Sequence, residues 1–249
     1  MSYTEAIISG IVQGLTEFLP VSSSGHLVVL HHFFGYNQPQ FTFDIFLHIG
    51  TLFAVLVYFR RDIIDMLKRR PRLFMYVILA TIPTALIGFI FIDFVEGLFQ
   101  NIKLVGLMLF VTAGFLSIAD RVPTSKSNTG KLSWVKAIGI GVIQGLAIVP
   151  GISRSGSTIS SGILFGLDKN EAIRFSFLLA IPAILGALIL QIIRTGGRIV
   201  LTSQMLIGSS LAFVVGLISI YILIKSVINA KLKYFAIYCI LVGGALLIL

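Results

Sequence analysis

The sequence predicts an all-α integral membrane protein made of two inverted-topology repeats, each a re-entrant helical hairpin followed by three transmembrane helices. The prediction rests on an apolar composition, a polar motif that occurs twice, and the placement of the basic residues. Of the 249 residues, 57% are hydrophobic and only 12% charged, and the mean hydropathy is +1.01. A soluble domain carries about 25% charged residues. Residues 1–249 form one membrane domain, with repeat 1 over about 1–121, a linker over about 122–131 and repeat 2 over about 132–249.

The elements follow in order from apolar run length, since a helix crossing the hydrocarbon core needs about 20 apolar residues. The segment 4–34 is apolar but broken at Pro20. Each arm, at about 15 residues, is too short to span a bilayer comfortably. Irregular backbone at membrane depth is tolerated only where it is buried in protein or lines a cavity, so this segment reads as a re-entrant hairpin. Runs 41–59, 73–95 and 103–119 then read as spans. The segment 135–166, broken at Pro150, repeats the hairpin, and runs 171–193, 205–224 and 234–249 repeat the spans. Ten full spans are the alternative, and they come out too short. The first 36 residues lack a cationic start followed by a small-residue cleavage site, so no cleavable signal is expected. Cys239 is the only cysteine, which excludes a disulfide framework and thiolate metal clusters.

A hairpin plus three spans inverts the second repeat relative to the first, and the basic residues test that independently. The segment 60–72 holds Arg60, Arg61, Lys68, Arg69, Arg70 and Arg72, which marks it as cytoplasmic. Alternating from there places fifteen of the 19 basic residues on the cytoplasmic side. Lys103, Arg194 and Arg198 fall outside, and Arg154 falls in the second hairpin. The net charge of +9 is therefore read as a topology signal and not as a nucleic-acid surface. The first hairpin then enters from outside and the second from the cytoplasm, so that their tips can meet.

The two breaks carry the polar chemistry, 131 positions apart, Gln13 against Gln144. In the first, Gln13 and Glu17 are i,i+4 and share one helix face. A carboxylate in an apolar stretch is costly and usually lines a functional cavity. With Gln13 it offers oxygen ligands to a hard divalent cation, Mg²⁺ or Ca²⁺. After Pro20, Ser22-Ser23-Ser24-Gly25 starts a new helix whose hydroxyls and N–H groups can face an anion. His26 follows and can act as acid, base or nucleophile. The second break has the complementary charge: Ser153-Arg154-Ser155-Gly156-Ser157-Thr158 offers a fixed cation and hydroxyls at a helix start, which suits phosphate oxygens.

The competing structural readings are plain. Serine and glycine in membrane helices commonly serve packing. His31 and His32 read as interfacial, as do Asp93 and Glu96, and His48 has no assignment. Asp44 supports the outer mouth of the site or caps its helix. An ion pair with Glu17 is the structural alternative for Arg154, and it too would bring the two breaks together.

At Gln13-Gly-Leu-Thr-Glu17-Phe-Leu-Pro-Val-Ser-Ser-Ser-Gly-His26 and Pro150-Gly-Ile-Ser153-Arg154-Ser-Gly-Ser-Thr158 the sequence resembles the undecaprenyl-diphosphate phosphatase family, the bacitracin-resistance type of membrane phosphatase. Phe43-Asp44 and Phe175-Ser-Phe-Leu-Leu-Ala-Ile-Pro182 share the resemblance, which covers essentially the whole chain. Where that family has Glu or Gln four residues before its Glu, this chain has Gln13, one potential anionic metal ligand fewer. The resemblance implies hydrolysis of undecaprenyl diphosphate to undecaprenyl phosphate and inorganic phosphate, which recycles the cell-wall lipid carrier and confers bacitracin resistance. It also implies a bacterial plasma (inner) membrane location with the site opening outward, a divalent cation, and homodimers as in related members.

On that reading Arg154, Ser153, Ser155, Thr158 and Ser22 hold the diphosphate, and Glu17 with Gln13 places the cation. His26 is nucleophile or general acid/base, with Ser23 the other candidate nucleophile. The reading from another class is a polyprenyl-phosphate flippase, because inverted repeats with discontinuous helices are also a transporter architecture. A channel fits poorly, since the polar residues cluster at two breaks and form no continuous stripe.

Overall fold

The computed structural model describes residues 1–36, 38–123, 132–197, 199–229 and 232–249. All regular structure among them is helical: α1 (Tyr3–Thr16), α2 (Ser23–Phe33), α3 (Phe41–Tyr58), α4 (Arg60–Arg69), α5 (Pro71–Leu98), α6 (Ile102–Asp120), α7 (Trp134–Leu146), α8 (Arg154–Leu164), α9 (Lys169–Arg194), α10 (Ser203–Asn229) and α11 (Leu232–Ile248). Most of the expected linker, from 124 to 131, lies outside the described residues, as do Arg198 and Lys231.

The four hairpin arms are short, with 14 and 11 residues in α1 and α2 and 13 and 11 in α7 and α8. At 1.5 Å per residue, none covers a hydrocarbon core of about 30 Å. Ser2 starts α1 through a reciprocal capping box with Glu5. Five helices are long and apolar enough to cross a membrane: α3, α5, α6, α9 and the Ser203–Lys225 part of α10. The sequence counted six such runs. The sixth is α11, apolar throughout but only 17 residues long. The chain is a multi-pass helical membrane protein.

The basic segment 60–72, expected as a loop, contains the amphipathic helix α4. Met66 is buried and Ile63 packs on the core, while Arg60, Arg61, Lys68 and Arg69 are exposed. Asp62 and Asp65 hold Arg174 and Arg70 at 3.6 and 2.7 Å. The exception at Arg194 has a cause as well. Its guanidinium lies 2.7 Å from Asp93 and also pairs with Glu96, so this cation, expected on the outer side, is neutralised. Asp93 and Glu96 are thereby its partners and not merely interfacial.

Packing between the halves is reciprocal. The first arm of each hairpin lies along a long span of the other repeat, α1 on α10 and α7 on α5, and the two closing helices α6 and α11 pack together. Glycines at matching motif positions permit the close approach. A Cβ on Gly10 would strike the Gly208 carbonyl, and one on Gly141, 131 positions later, would strike the Ala80 carbonyl. These pairings fit an inverted duplication.

Candidate active site

Local backbone geometry brings the two breaks together. After α1, residues 17–21 turn into Ser22, whose φ of 68° and ψ of 90° make it the only non-glycine residue with positive φ among those described. Its hydroxyl caps α2 by accepting the Gly25 N–H at 3.3 Å, and it also accepts the Gly151 N–H of the other hairpin at 3.1 Å. Gly151 has φ 97°, and a Cβ there would sit 2.5 Å from the Val105 carbonyl oxygen, so the position requires glycine. Thr112 of α6 fastens the second break: it donates to the Gly151 carbonyl and accepts the Ser153 N–H, both at 2.9 Å.

At the junction, Arg154, the first residue of α8, places Nη2 2.5 Å from Glu17 Oε1. The other carboxylate oxygen, Oε2, accepts from Ser23 Oγ at 2.6 Å and Gln13 Nε2 at 3.0 Å, with His48 Nε2 at 3.4 Å. Glu17 is only 6% exposed. A buried charge of this kind survives because it is paired and hydrogen-bonded. Two groups next to it have spare capacity: Gln13 Oε1 and Arg154 Nη1 are buried without a hydrogen-bond partner among the described residues.

The cluster faces a cavity of about 270 Å³. Glu17, Ser22, Ser23, Ser24, His48 and Arg154 form its polar wall. Phe41, Ile45, Ile148, Ile152, Ala183 and Ile184 are among its apolar lining. The cavity therefore offers both charged and apolar surface to a ligand. Asp44 also lines it, 3.6 Å from His31, and among the described residues His31 Nε2 and Asp44 Oδ1 have no hydrogen-bond partner. His31 is 5% exposed, whereas His32 is exposed. Its neighbour Tyr36 and the first turn of α3 cover the His31 ring.

Of the residues singled out in the sequence, Gln13, Glu17, Ser22, Ser23 and Arg154 come together. The ion pair between Glu17 and Arg154 is itself part of the site. Four others are elsewhere. His26 does not line the cavity; its Nδ1 lies 2.7 Å from the Ser22 carbonyl and its Nε2 2.7 Å from the Tyr238 hydroxyl. Ser153 caps α8 through the Gly156 N–H, and Ser155 donates to the Leu19 carbonyl across the hairpins at 3.1 Å. Thr158 bonds the Arg154 carbonyl at 2.9 Å and Ser176 at 2.6 Å. All three hydroxyls are committed to holding the start of α8, and with it Arg154. The residue missed was His48. A histidine inside an apolar span is a functional candidate on cost alone, and that was the available signal.

The model of the family described as bacitracin resistance protein BacA matches residues 6–245. An undecaprenyl-diphosphatase of Syntrophotalea carbinolica is 45% identical over 98% of this chain and 97% of its own. One of Halothermothrix orenii is 41% identical over 100% of this chain and 98% of its own, and one of Thermosipho africanus 40% identical over 95% and 96%. With the match running through both hairpins and all the helices between them, the chain belongs to the bacitracin resistance protein BacA family.

Proposed function

We propose that the chain hydrolyses undecaprenyl diphosphate to undecaprenyl phosphate and inorganic phosphate at the Glu17–Ser23–Arg154 cluster, and so confers bacitracin resistance. Relatives that share the whole chain carry that activity in their names. The observation that carries the site assignment is the 2.6 Å hydrogen bond from Ser23 Oγ to a carboxylate that also faces an arginine. A nucleophile within hydrogen-bond reach of its base is the arrangement covalent catalysis needs.

Arg154 exchanges Glu17 for the terminal phosphate, with its unspent Nη1 as a further donor. Ser23 Oγ attacks the terminal phosphorus while its proton passes to Glu17 Oε2. The bond to the bridging oxygen breaks, and undecaprenyl phosphate leaves with that oxygen and takes the proton from Glu17. Water then attacks the phosphoserine, its proton moving to Glu17 and on to Ser23 Oγ as inorganic phosphate departs. Catalysis is positioning and charge neutralisation, as phosphoryl transfer requires.

A divalent cation, Mg²⁺ or Ca²⁺, fits the donors beside this cluster. Gln13 Oε1 is a buried oxygen with no partner, and Glu17 is a hard carboxylate, so these two residues would hold it. Among the described residues no group of three or more His, Cys, Asp or Glu side chains is placed to bind a metal, so any remaining ligands would be other oxygens. When bound, the cation supplies positive charge against the diphosphate oxygens.

The cavity touches Phe41 and Asp44 at the start of α3 and Phe99 just beyond α5, the ends opposite basic α4. By the positive-inside rule this side is extracytoplasmic, which supports an outward-opening site in the bacterial plasma (inner) membrane. The deciding experiment measures phosphate release from undecaprenyl diphosphate in detergent, where transport has no meaning. A phosphatase with this site releases phosphate, and Ser23→Ala and Glu17→Ala do not. Release by either variant at the native rate removes the site assignment, and no release by the native chain leaves a flippase.

A further inference from the structure

We infer that His26 takes no part in bond making. With Tyr238 it forms a clamp that holds the Ser22 turn, and through that turn the Ser23 hydroxyl, against Glu17. This rests on Ser23 being the nucleophile.

The hydrogen-bond chemistry of the ring leaves no other role open. A backbone carbonyl can only accept, so Nδ1, 2.7 Å from the Ser22 oxygen, carries the ring proton. In the neutral ring Nε2 is then the lone-pair nitrogen, and the Tyr238 hydroxyl at 2.7 Å donates to it. The rings lie nearly parallel, 8° apart with centroids at 5.7 Å. Neither nitrogen is left for a substrate, and the ring stands outside the cavity wall.

The clamp has something to hold. A serine at φ 68° and ψ 90° is strained, and such a conformation persists only where its surroundings over-determine it. Here the Ser22 carbonyl accepts from both the His26 side chain and the His26 backbone N–H, while its hydroxyl accepts from Gly25 and Gly151. This turn is what directs the next residue, Ser23, back to Glu17, six positions earlier. Tyr238 belongs to α11, and the adjacent Cys239 donates to the Pro20 carbonyl at 3.7 Å. The last helix of repeat 2 thus grips both ends of the first break, as Thr112 in the last helix of repeat 1 grips the second. The tie also satisfies a phenol that would otherwise face lipid.

The test is a substitution series at position 26. His26→Asn keeps an N–H near the Nδ1 position but has no group able to act as base or nucleophile. His26→Gln moves that N–H to the Nε2 side, and His26→Ala removes it. Phosphate release by His26→Asn is expected within about tenfold of native with KM unchanged, while His26→Ala and His26→Gln fall by about a hundredfold or more in kcat. Tyr238→Phe keeps the stacking and frees Nε2. Its kcat is expected to fall about fivefold, again at constant KM. His26→Asn as inactive as His26→Ala, with both keeping the native thermal transition in detergent, overturns the clamp. Should His26→Asn not fold, Tyr238→Phe decides alone: an unchanged or raised kcat overturns it, and a fall in kcat at constant KM upholds it. Ser23→Ala run in parallel separates the two readings. Activity in that variant removes the Ser23 mechanism, whereas a silent Ser23→Ala beside equally silent Asn and Ala variants at position 26 removes only the clamp.

Discussion

Glu17 and Arg154, 137 positions apart in the chain, meet in an ion pair of 2.5 Å. Each belongs to a different hairpin, so neither repeat holds a neutralised site by itself. The charges are divided between the two breaks, with the acid in the first and the cation in the second. The matching glutamines differ as well: Gln13 donates to Glu17, whereas Gln144 donates to Thr84 in a contact that ties α7 to α5.

Arg154→Met therefore leaves an unpaired buried carboxylate. It should cost about 3–5 kcal/mol, the usual penalty for breaking one side of a buried pair, and abolish phosphate release. Arg154→Lys keeps the charge but loses the forked donor. It should retain most of the stability while kcat falls. Thermal unfolding in detergent and a phosphate-release assay read the two effects separately, and equal behaviour of Met and Lys would contradict this account.

Glu17→Gln tests the base role more narrowly, because an amide keeps the shape and one acceptor oxygen but cannot take up a proton near neutral pH. General-base loss of this kind costs about 10²–10⁴ in rate. The phosphoserine expected at Ser23 gives a second readout: acid-quenched native protein should carry covalent phosphate, and Ser23→Ala should carry none.

Much of this was legible in the chain, for identifiable reasons. Pro20 and Pro150 interrupt apolar runs, and a backbone break in lipid has few acceptable locations, so both hairpins could be placed. The pairing of Glu17 with Arg154 was the structural alternative to a phosphate clamp, and the structure shows that ion pair. What could not be read was where each hydroxyl goes. Ser153, Ser155 and Thr158 look like phosphate ligands by residue type, yet their bonds run to Gly156, Leu19 and Ser176. His26 sits in the motif but turns to Tyr238, 212 positions away, and His48 lies outside any motif but reaches Glu17. Helix α4 was hidden because its charges masked the spacing of Ile63 and Met66 on one face.

The close approaches between repeats should be as sensitive as the site. A side chain at Gly141 must displace the Ala80 backbone. Gly141→Val should lower stability by about 1–3 kcal/mol, the usual cost of overpacking, and shift the second hairpin enough to reduce activity. Gly114, with nothing near its missing Cβ, is the control: Gly114→Ala should be neutral or slightly stabilising, since alanine is the better helix former. Melting temperatures of the two variants decide.

The apolar wall makes a separable prediction about the lipid tail. Ala183 of α9 belongs to the apolar lining of the cavity. Ala183→Phe narrows the apolar side without touching Glu17, Ser23 or Arg154. For undecaprenyl diphosphate KM should rise, because tail binding is lost equally from ground and transition states. For a short prenyl diphosphate that does not extend so far, KM and kcat should stay near native. A rise in KM for both substrates would place the tail elsewhere, and a fall in kcat for both would mean the substitution had disturbed the polar cluster.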